Sequence, residues 1–240
     1  MTSIALSVVL PTLNERENII PLIERLERSL ENLGHEIIVV DDDSPDGTAA
    51  VVAAYAAAHP GVQLLHRRGT RGLTSAIQNG IDRAQGAAVA WMDCDLSMSP
   101  ETLPALYAGL RVADVAIGSR YAPGGEDARV NVPLHRMASS VLNGLLRLVL
   151  GAQISDYTTG FVCARRPVLT RLRLDGDYGE YCIDFLHRAR RHGFTITEIP
   201  YRNEPRIHGE SKTATSALGF LRRSVRYFVT GARLRWRYGR

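Results

Sequence analysis

The 240-residue sequence predicts an α/β protein with a Rossmann-like, mostly parallel sheet flanked by helices. One observation is that short apolar runs alternate with segments whose apolar residues recur at helical spacing. A second is that the runs are apolar throughout, as in strands buried on both faces of a sheet. A third is that each run ends in polar residues. Right-handed crossovers would bring these ends to one edge.

The elements follow one another along the chain. Residues 4–10 are an apolar, β-rich run, and the first helix is expected to begin near Ile20, because Pro21 is tolerated only in a first turn. Gly34 ends this helix, and an Ala-rich helix runs to His59. The other predicted elements are strands at 36–40, 62–66, 87–92 and 113–118, and helices at 73–84, from Ser99 onward, up to Leu150 and at 214–236.

Polar residues cluster where the predicted strands end, and the ligands of open α/β sheets bind at that edge. The clusters are Pro11–Glu15, Asp41–Asp43, His66–Arg68 and Asp93–Asp95. The sequence has no Gly-x-Gly-x-x-Gly turn after the first strand and no Gly-x-x-x-x-Gly-Lys loop. A nucleotide bound at this edge would therefore be held differently, by carboxylates and a metal ion.

Asp93 and Asp95 end the predicted strand 87–92 and are separated by one residue. Side chains two apart point the same way as a chain leaves a sheet, so these carboxylates would converge and repel each other. Mg²⁺ or Mn²⁺ could lie between them, since hard divalent ions prefer oxygen ligands. The alternative is an Asp-rich turn before the helix that Ser99-Pro100-Glu101 would open, with Ser99 as N-cap.

The composition, 45% hydrophobic and 22% charged, is that of a soluble globular protein. No apolar run approaches the roughly 20 residues of a membrane span, and the N-terminus lacks the basic region of a signal peptide. Three widely spaced cysteines argue against a disulfide framework and against a zinc cluster. These features lead us to expect a cytoplasmic protein.

The basic residues are concentrated at the C-terminus. Residues 201–240 contain ten Lys or Arg and two Asp or Glu, a net charge of +8, so the preceding 200 residues carry −4. A basic tail on a mildly acidic body suggests an anionic partner, which could be a membrane surface, a phosphate-bearing substrate or a nucleic acid.

Six ordered motifs give the chain a resemblance to glycosyltransferase family 2, and in particular to the polyprenyl-phosphate (dolichol-phosphate) mannose synthases. The motifs extend over nearly the whole chain. They are Pro11–Glu15, Val40–Thr48, Met92–Ser97, Gly118–Tyr121, Asp156–Phe161 and Arg206–Lys212.

The resemblance implies a GT-A fold that binds a nucleotide-sugar, usually GDP-mannose, with Mg²⁺ or Mn²⁺ on its diphosphate. In this family the nucleoside would be held by the residues that match Pro11, Leu13, Glu15 and Asp42. Asp93 and Asp95 occupy the positions of the metal site. Ser97 has the position of a third ligand, where some members have Gln.

The family's Arg-x-Gly-Lys-x-Gly-Leu-Gly loop matches residues 67–74, but its lysine is Thr70 here and its last glycine is Thr74. If that lysine holds the diphosphate, Arg68 or Arg71 must replace it, or the donor differs.

On the acceptor side, the resemblance implies that Arg120, Arg136, Ser140 and Arg206 surround the transferred sugar and the acceptor phosphate. Arg136 and Ser140 are four residues apart, on one face of a helix. Guanidinium groups would offset the repulsion between an anionic acceptor and a diphosphate, although each arginine could instead form a surface ion pair. Lys212 belongs to the Arg206 motif and is the only lysine of the chain.

Asp156 could cap a helix or belong to the site. A phosphate acceptor is already ionised near neutral pH and needs no strong base. A hydroxyl acceptor would need one, and Asp156 is the first candidate.

The sequence divides into a GT-A domain at 1–212 and a basic amphipathic helix at 213–240. Within the domain, 1–118 would bind the nucleotide-sugar and 119–212 the acceptor. Apolar residues of the last helix fall in one arc flanked by arginines, as in helices that lie on anionic membranes. This helix could equally pack on the domain. Membrane contact would be peripheral, on the cytoplasmic face, and could require an anchoring partner protein.

The leading hypothesis is a metal-dependent, inverting transfer of a hexose, mannose from GDP-mannose being favoured, to a polyprenyl phosphate. The alternative is a family 2 enzyme with another nucleotide-sugar and a soluble hydroxyl acceptor. A third hypothesis is a non-catalytic binding protein. Nucleic acid is not expected as a partner, because the tail contains no recognised nucleic-acid-binding module.

Overall fold

The computed structural model describes residues 4–128, 133–176, 179–207 and 217–238, without the side chains of 133–138, 217–224 and 238. The strands in these ranges are β1 (Leu6–Thr12), β2 (His35–Asp41), β3 (Val62–His66), β4 (Ala88–Trp91), β5 (Val115–Ser119), β6 (Glu126–Asp127), β7 (Val162–Arg165), β8 (Ile196–Pro200) and β9 (Arg202–Asn203). The helices are α1 (Arg16–Ser29), α2 (Thr48–Ala56), α3 (Leu73–Arg83), α4 (Leu103–Gly109), α5 (Pro133–Leu150), α6 (Arg166–Arg171), α7 (Glu180–Arg191) and α8 (Ala217–Tyr238).

Within the described residues, seven strands form one sheet in the order β3-β2-β1-β4-β7-β5-β8. β7 is antiparallel to β4 and β5, and the other neighbours are parallel. The prediction of a mostly parallel sheet is therefore confirmed. All strands of this sheet except β7 end at the same edge. β6 and β9 pair separately beside that edge.

The apolar runs become strands that are buried on both faces. Along β1, Val8 and Leu10 face one hydrophobic layer while Val9 faces the other, because side chains alternate across a strand. Helix α3 lies very close to the sheet. A Cβ atom on Gly80 would come within 2.3 Å of Val9 Cγ1, so glycine is required there.

The first helix begins earlier than the sequence predicted. α1 starts at Arg16 rather than near Ile20, so Pro21 lies inside the helix. The Arg16 N–H donates to Asp46 Oδ2 at 3.1 Å, which gives the first turn a partner from outside the helix. Pro21 lies on the exposed side of α1, where its missing hydrogen bond leaves no buried carbonyl behind. The tertiary contact therefore decides where the helix starts.

The segment after β4 also differs from the expectation. A short 3₁₀ turn, Pro100–Thr102, precedes α4, and Ser99 makes no capping hydrogen bond with its side chain. The Ser99 hydroxyl instead donates to the Glu101 carboxylate. Ser99 is thus the N-cap residue and Pro100 the first residue of the turn, as the sequence predicts, but the Ser99 side chain adds no capping hydrogen bond.

The C-terminal helix α8 packs against α5 and α7. Leu234 is buried in this contact, and a Cβ atom on Gly231 would lie 2.7 Å from Leu146 Cδ2. Arg226 and Glu180 form an ion pair of 2.6 Å at the same contact. The opposite side exposes large apolar side chains, namely Val225, Phe228, Val229 and Trp236. None of the described helices has the length and apolarity to cross a membrane.

Candidate active site

The carboxyl edge of the sheet brings together most of the site residues predicted from the sequence. β1 leads to Glu15, β2 to Asp42 and β4 to Asp93 and Asp95, while β5 leads to Arg120. Parallel neighbouring strands place these ends side by side. The site is therefore built by the backbone topology, from segments that are far apart in sequence.

Asp93 and Asp95 leave β4 as a charged pair. Burial and the neighbouring Asp95 charge together raise the pKa of Asp93 to about 7, against the opposing charges of Arg206 and Arg120. Asp95 Oδ1 accepts hydrogen bonds from the Ser97 N–H at 3.0 Å and the Ser97 hydroxyl at 2.6 Å. Ser97 thus orients Asp95, and the two neighbouring carboxylates concentrate negative charge at the end of β4.

Arg206 reaches this pair from the segment after β9. Its Nη2 lies 2.8 Å from Asp95 Oδ2 and its Nη1 3.5 Å from Glu15 Oε1. The segment is anchored beside the Asp93–Ser97 turn, because the Glu204 N–H donates to the Ser97 carbonyl at 2.9 Å. One guanidinium therefore bridges the ends of β1 and β4.

The donor set fits a hard divalent cation. Two carboxylates supply oxygen ligands, and their mutual repulsion is the cost that a cation would remove. Among the residues that the structure describes, no three acidic, histidine or cysteine side chains form a metal cluster. Further ligands would have to come from the diphosphate and water, as is usual for Mg²⁺ bound with nucleotides.

The β1 end forms one wall beside the pair. Pro11 and Leu13 are half-buried, and the Pro11 carbonyl accepts from the Cys94 thiol at 3.4 Å. Glu15 is buried and accepts from Asn18 Nδ2 at 2.8 Å. These contacts help to hold Pro11 and Glu15, two of the predicted nucleoside-binding residues, in place.

Asp42 lies further along the edge in a buried ion pair. Its Oδ2 accepts the Gly72 N–H at 2.7 Å, and its Oδ1 lies 3.0 Å from Arg67 Nη1. Burial raises the pKa of Asp42, while the Gly72 N–H and the Arg67 charge oppose this rise. Arg67 is fixed in turn by Ser75, whose hydroxyl accepts from Nη2 at 2.8 Å.

Arg67 is a site residue that the sequence reasoning missed. Arg68 and Arg71, the residues that could replace the absent lysine, both have exposed side chains. Arg71 Nη2 donates to the Asp43 carbonyl at 3.3 Å. The sequence did indicate Arg67 in one way: it directly follows the predicted strand β3, at the edge where the other site residues lie.

Arg120 and Asp156 form a second charged cluster on the other side of the edge. Arg120 Nε and Nη2 each lie 2.7 Å from an Asp156 oxygen, and the Arg120 N–H donates to Oδ2 at 3.2 Å. Arg120 is 9% and Asp156 0% exposed in their side chains. Burial lowers the pKa of Arg120, but the Asp156 charge and hydrogen bonds outweigh it, so the net shift is upward. Both Asp156 oxygens are thereby engaged.

Asn143 joins this cluster to α5 and was also missed. Its Nδ2 donates to Thr158 Oγ1 at 3.0 Å, and its Oδ1 accepts the Tyr157 N–H at 2.9 Å. Glu198 of β8 holds the same loop, accepting the Asp156 N–H at 3.2 Å. In the sequence, the only indication of this role was a polar asparagine among the apolar residues of a predicted helix.

The remaining predicted residues lie at the border of the described site. Ser140 is exposed on α5. The backbone of Arg136 belongs to α5, but its side chain lies outside the described residues, as does Lys212 altogether.

Residues 7–173 match the protein family described as "Glycosyl transferase family 2". The chain belongs to this family. The resemblance read from its motifs is confirmed, and with it the assignment as a glycosyltransferase.

Three relatives illustrate the similarity. The chain is 34% identical over 210 residues to a dolichol-phosphate mannosyltransferase of Pyrococcus furiosus, covering 86% of this chain and 58% of that protein. It is 38% identical over 218 residues to a polyprenol monophosphomannose synthase of Mycolicibacterium smegmatis, covering 87% and 81%. It is 36% identical over 220 residues to an undecaprenyl-phosphate mannosyltransferase of Micrococcus luteus, covering 88% of each chain. The chain thus spans little more than half of the Pyrococcus protein.

Solved structures of glucosyl-3-phosphoglycerate synthase from Mycobacterium tuberculosis have a similar fold. The complex with Mn²⁺, UDP and glucosyl-3-phosphoglycerate superposes with a TM-score of 0.69 at 22% identity, covering 98% of this chain and 80% of that one. The complex with Mn²⁺, UDP-glucose and phosphoglyceric acid gives 0.70 at 20% identity, with the same coverage. The predicted GT-A fold is confirmed.

Proposed function

We propose that this family 2 glycosyltransferase transfers mannose from GDP-mannose to a polyprenyl phosphate, with inversion and with Mg²⁺ or Mn²⁺ at Asp93 and Asp95. The observation that carries the proposal is the carboxylate pair at the end of β4, flanked by Arg206 and close enough to Arg120 for its charge to act on Asp93. The names of the three relatives, each a mannosyl transferase or synthase for a prenyl phosphate or prenol, support the acceptor class.

The donor would lie along the β1, β2 and β4 ends. Asp42, Glu15, Pro11 and Leu13 would hold the nucleoside, and Arg67 would keep Asp42 oriented. A divalent ion bound there supplies the positive charge that stabilises the leaving nucleoside diphosphate. The replacement of the family lysine by Thr70 leaves the exposed Arg68 and Arg71 as the nearby cations for the diphosphate.

The acceptor would approach from the Arg120 side. Its phosphate oxygen forms the new bond to the anomeric carbon as the bond to the nucleoside diphosphate breaks, in line and with inversion. Arg120, Arg136, Arg206 and Lys212 would offset the charge of the acceptor phosphate, and the Ser140 hydroxyl would donate a hydrogen bond to it.

Asp156 would position Arg120 rather than act as a base, because Arg120 occupies both of its oxygens. A soluble hydroxyl acceptor would need a free base at this place. The pairing therefore supports a phosphate acceptor over a hydroxyl.

The exposed side of α8 suggests where the lipid comes from. Apolar side chains, with Trp236 80% exposed, lie on a helix that also carries exposed Arg233, Arg235 and Arg237. This combination suits an anionic membrane surface. We propose peripheral contact through α8 on the cytoplasmic face, with or without an anchoring partner, and a division of labour between donor half 1–118, acceptor half 119–212 and helix 213–240.

Thermal denaturation with GDP, GDP-mannose, UDP and UDP-glucose, each with and without Mn²⁺, tests the donor. A ligand that binds only the folded state raises the melting temperature. We expect a Mn²⁺-dependent rise with GDP and GDP-mannose that Asp95→Asn abolishes and Asp82→Asn retains. Asp82 is an exposed carboxylate of α3 paired with Arg173, so it is a matched control.

Transfer of labelled sugar tests the acceptor. We expect label in the organic phase with undecaprenyl phosphate, and a loss of at least about 100-fold in Asp95→Asn. Label transferred only to water-soluble alcohols would contradict the proposal.

A further inference from the structure

We propose that Arg206 is the internal counter-ion of Asp95, and that it must leave Asp95 before a divalent cation can bind there. The inference rests on the proposed function, because it takes Asp93 and Asp95 as the metal-binding residues.

The contacts of Asp95 carry the argument. Its Oδ1 already accepts two hydrogen bonds from Ser97, at 3.0 and 2.6 Å. In the described structure its other oxygen, Oδ2, lies 2.8 Å from Arg206 Nη2. A metal ion bound to Oδ2 would meet this guanidinium at close range, and two cations repel each other. Occupation of Oδ2 by Arg206 and by a metal ion is therefore competitive.

The surrounding charges explain why a counter-ion is needed. Arg206 contacts Glu15 and Asp95, and both of these carboxylates are close enough to Asp93 for their charges to act on it. Buried or half-buried carboxylates that share a site are costly unless a cation accompanies them. Arg206 provides that cation from within the chain.

Arg206 is also able to leave. Its side chain is 23% exposed, whereas that of Arg120 is 9% exposed and held by two hydrogen bonds to Asp156 and one to Thr158. Departure from Asp95 would free a guanidinium for the anionic acceptor. Donor and metal binding would thereby prepare the acceptor side.

Binding of Mn²⁺ alone to the nucleotide-free, full-length protein tests the inference, by titration with detection of free Mn²⁺ by electron paramagnetic resonance. We expect Arg206→Gln to bind Mn²⁺ about tenfold more tightly than the wild type, since it removes a charged hydrogen bond that competes with the metal. Arg206→Lys keeps the charge and should bind close to the wild type. Arg202→Gln is the control, because Arg202 is an exposed neighbour that pairs with Glu126 and Glu204.

Melting temperatures give a readout that is independent of catalysis. Without metal, Arg206→Gln should melt lower than the wild type, and Mn²⁺ should raise its melting temperature by more than it raises that of the wild type. Equal or weaker Mn²⁺ binding by Arg206→Gln, while Asp95→Asn abolishes binding, would overturn the counter-ion inference alone. Unchanged Mn²⁺ binding in Asp95→Asn would overturn the metal site itself, and with it the proposed function.

Discussion

The site contains two clusters of carboxylates and arginines that differ in their charge balance. In one, Asp156 and Arg120 are a matched, buried pair with several short contacts. In the other, three carboxylates depend on one guanidinium: Arg206 contacts Asp95 and Glu15, and Asp93 feels only its charge. A balanced pair, with one carboxylate to one guanidinium, holds the structure in place. An unbalanced cluster, with more carboxylates than guanidinium groups, retains affinity for a further cation. Charge balance thus separates the structural carboxylate from those that would bind metal.

The largest effect is expected from breaking the balanced pair. Asp156→Ala leaves Arg120 buried without its partner, which should lower the free energy of unfolding by about 3–5 kcal/mol. Urea denaturation measures this change. The double variant Arg120→Met/Asp156→Leu should recover most of the loss, because a buried ion pair is replaced by apolar groups. A loss below about 1 kcal/mol in Asp156→Ala would mean that the pair is not the support we describe.

A second, smaller effect is expected from Asn143, which belongs to the same balanced cluster as Arg120 and Asp156. Asn143→Ala removes the donor to Thr158 and the acceptor of the Tyr157 N–H, leaving buried polar groups without partners. We expect a loss of about 1–3 kcal/mol in urea denaturation. Exposed Asn32 is the control, and Asn32→Ala should change stability by less than about 0.5 kcal/mol. Equal effects of the two variants would contradict the role of Asn143.

The unbalanced cluster should respond in the opposite direction. Asp93→Asn removes one of two repelling carboxylates, so the metal-free protein should gain about 1 kcal/mol while Mn²⁺-dependent nucleotide binding is lost. The pKa of Asp93 is raised to about 7 in the folded protein, from an ordinary value near 3.9.

Between pH 4 and 7 the folded state therefore binds more protons than the unfolded one, and the stability of the metal-free wild type falls as the pH rises. Melting temperatures across this range should show a shallower slope for Asp93→Asn. An identical slope in both proteins would contradict the assignment.

The smallest effect belongs to a balanced pair at the surface. Arg25 contacts both oxygens of Glu101, at 2.9 and 2.7 Å, with side chains 32% and 53% exposed. The pKa of Glu101 is lowered to about 2 by the Arg25 hydrogen bond, so its contribution is present above about pH 4.5 and disappears as the pH falls toward 2. Solvent screening keeps this contribution below about 1 kcal/mol, which Glu101→Gln in urea denaturation should reproduce. A larger loss would show that surface pairs here act like buried ones.

The sequence was sufficient for features that depend on local pattern. Apolar runs predicted the strands β1 to β5, and the alternation with helices predicted their parallel order. The convergence of Glu15, Asp42, Asp93 and Asp95 followed from those two facts, because the carboxyl ends of parallel strands share an edge.

Features that depend on contacts between distant residues could not be predicted in the same way. Arg120 and Asp156 are 36 residues apart, and nothing in either segment indicates that each satisfies the other. The start of α1 depends on Asp46, thirty residues away from Arg16. That Arg67 pairs with Asp42 depends on the direction in which the chain leaves β3.

The antiparallel strand β7 has a consequence for folding during synthesis on the ribosome. Within the described sheet, β5 pairs only with β7 and β8, and β7 alone joins it to β4. The first four strands can assemble once residue 91 has emerged, but β4 then presents an open edge until residues 162–165 arrive. Open strand edges invite pairing with other chains. Nascent chains that stall between these two points should therefore depend most on chaperones.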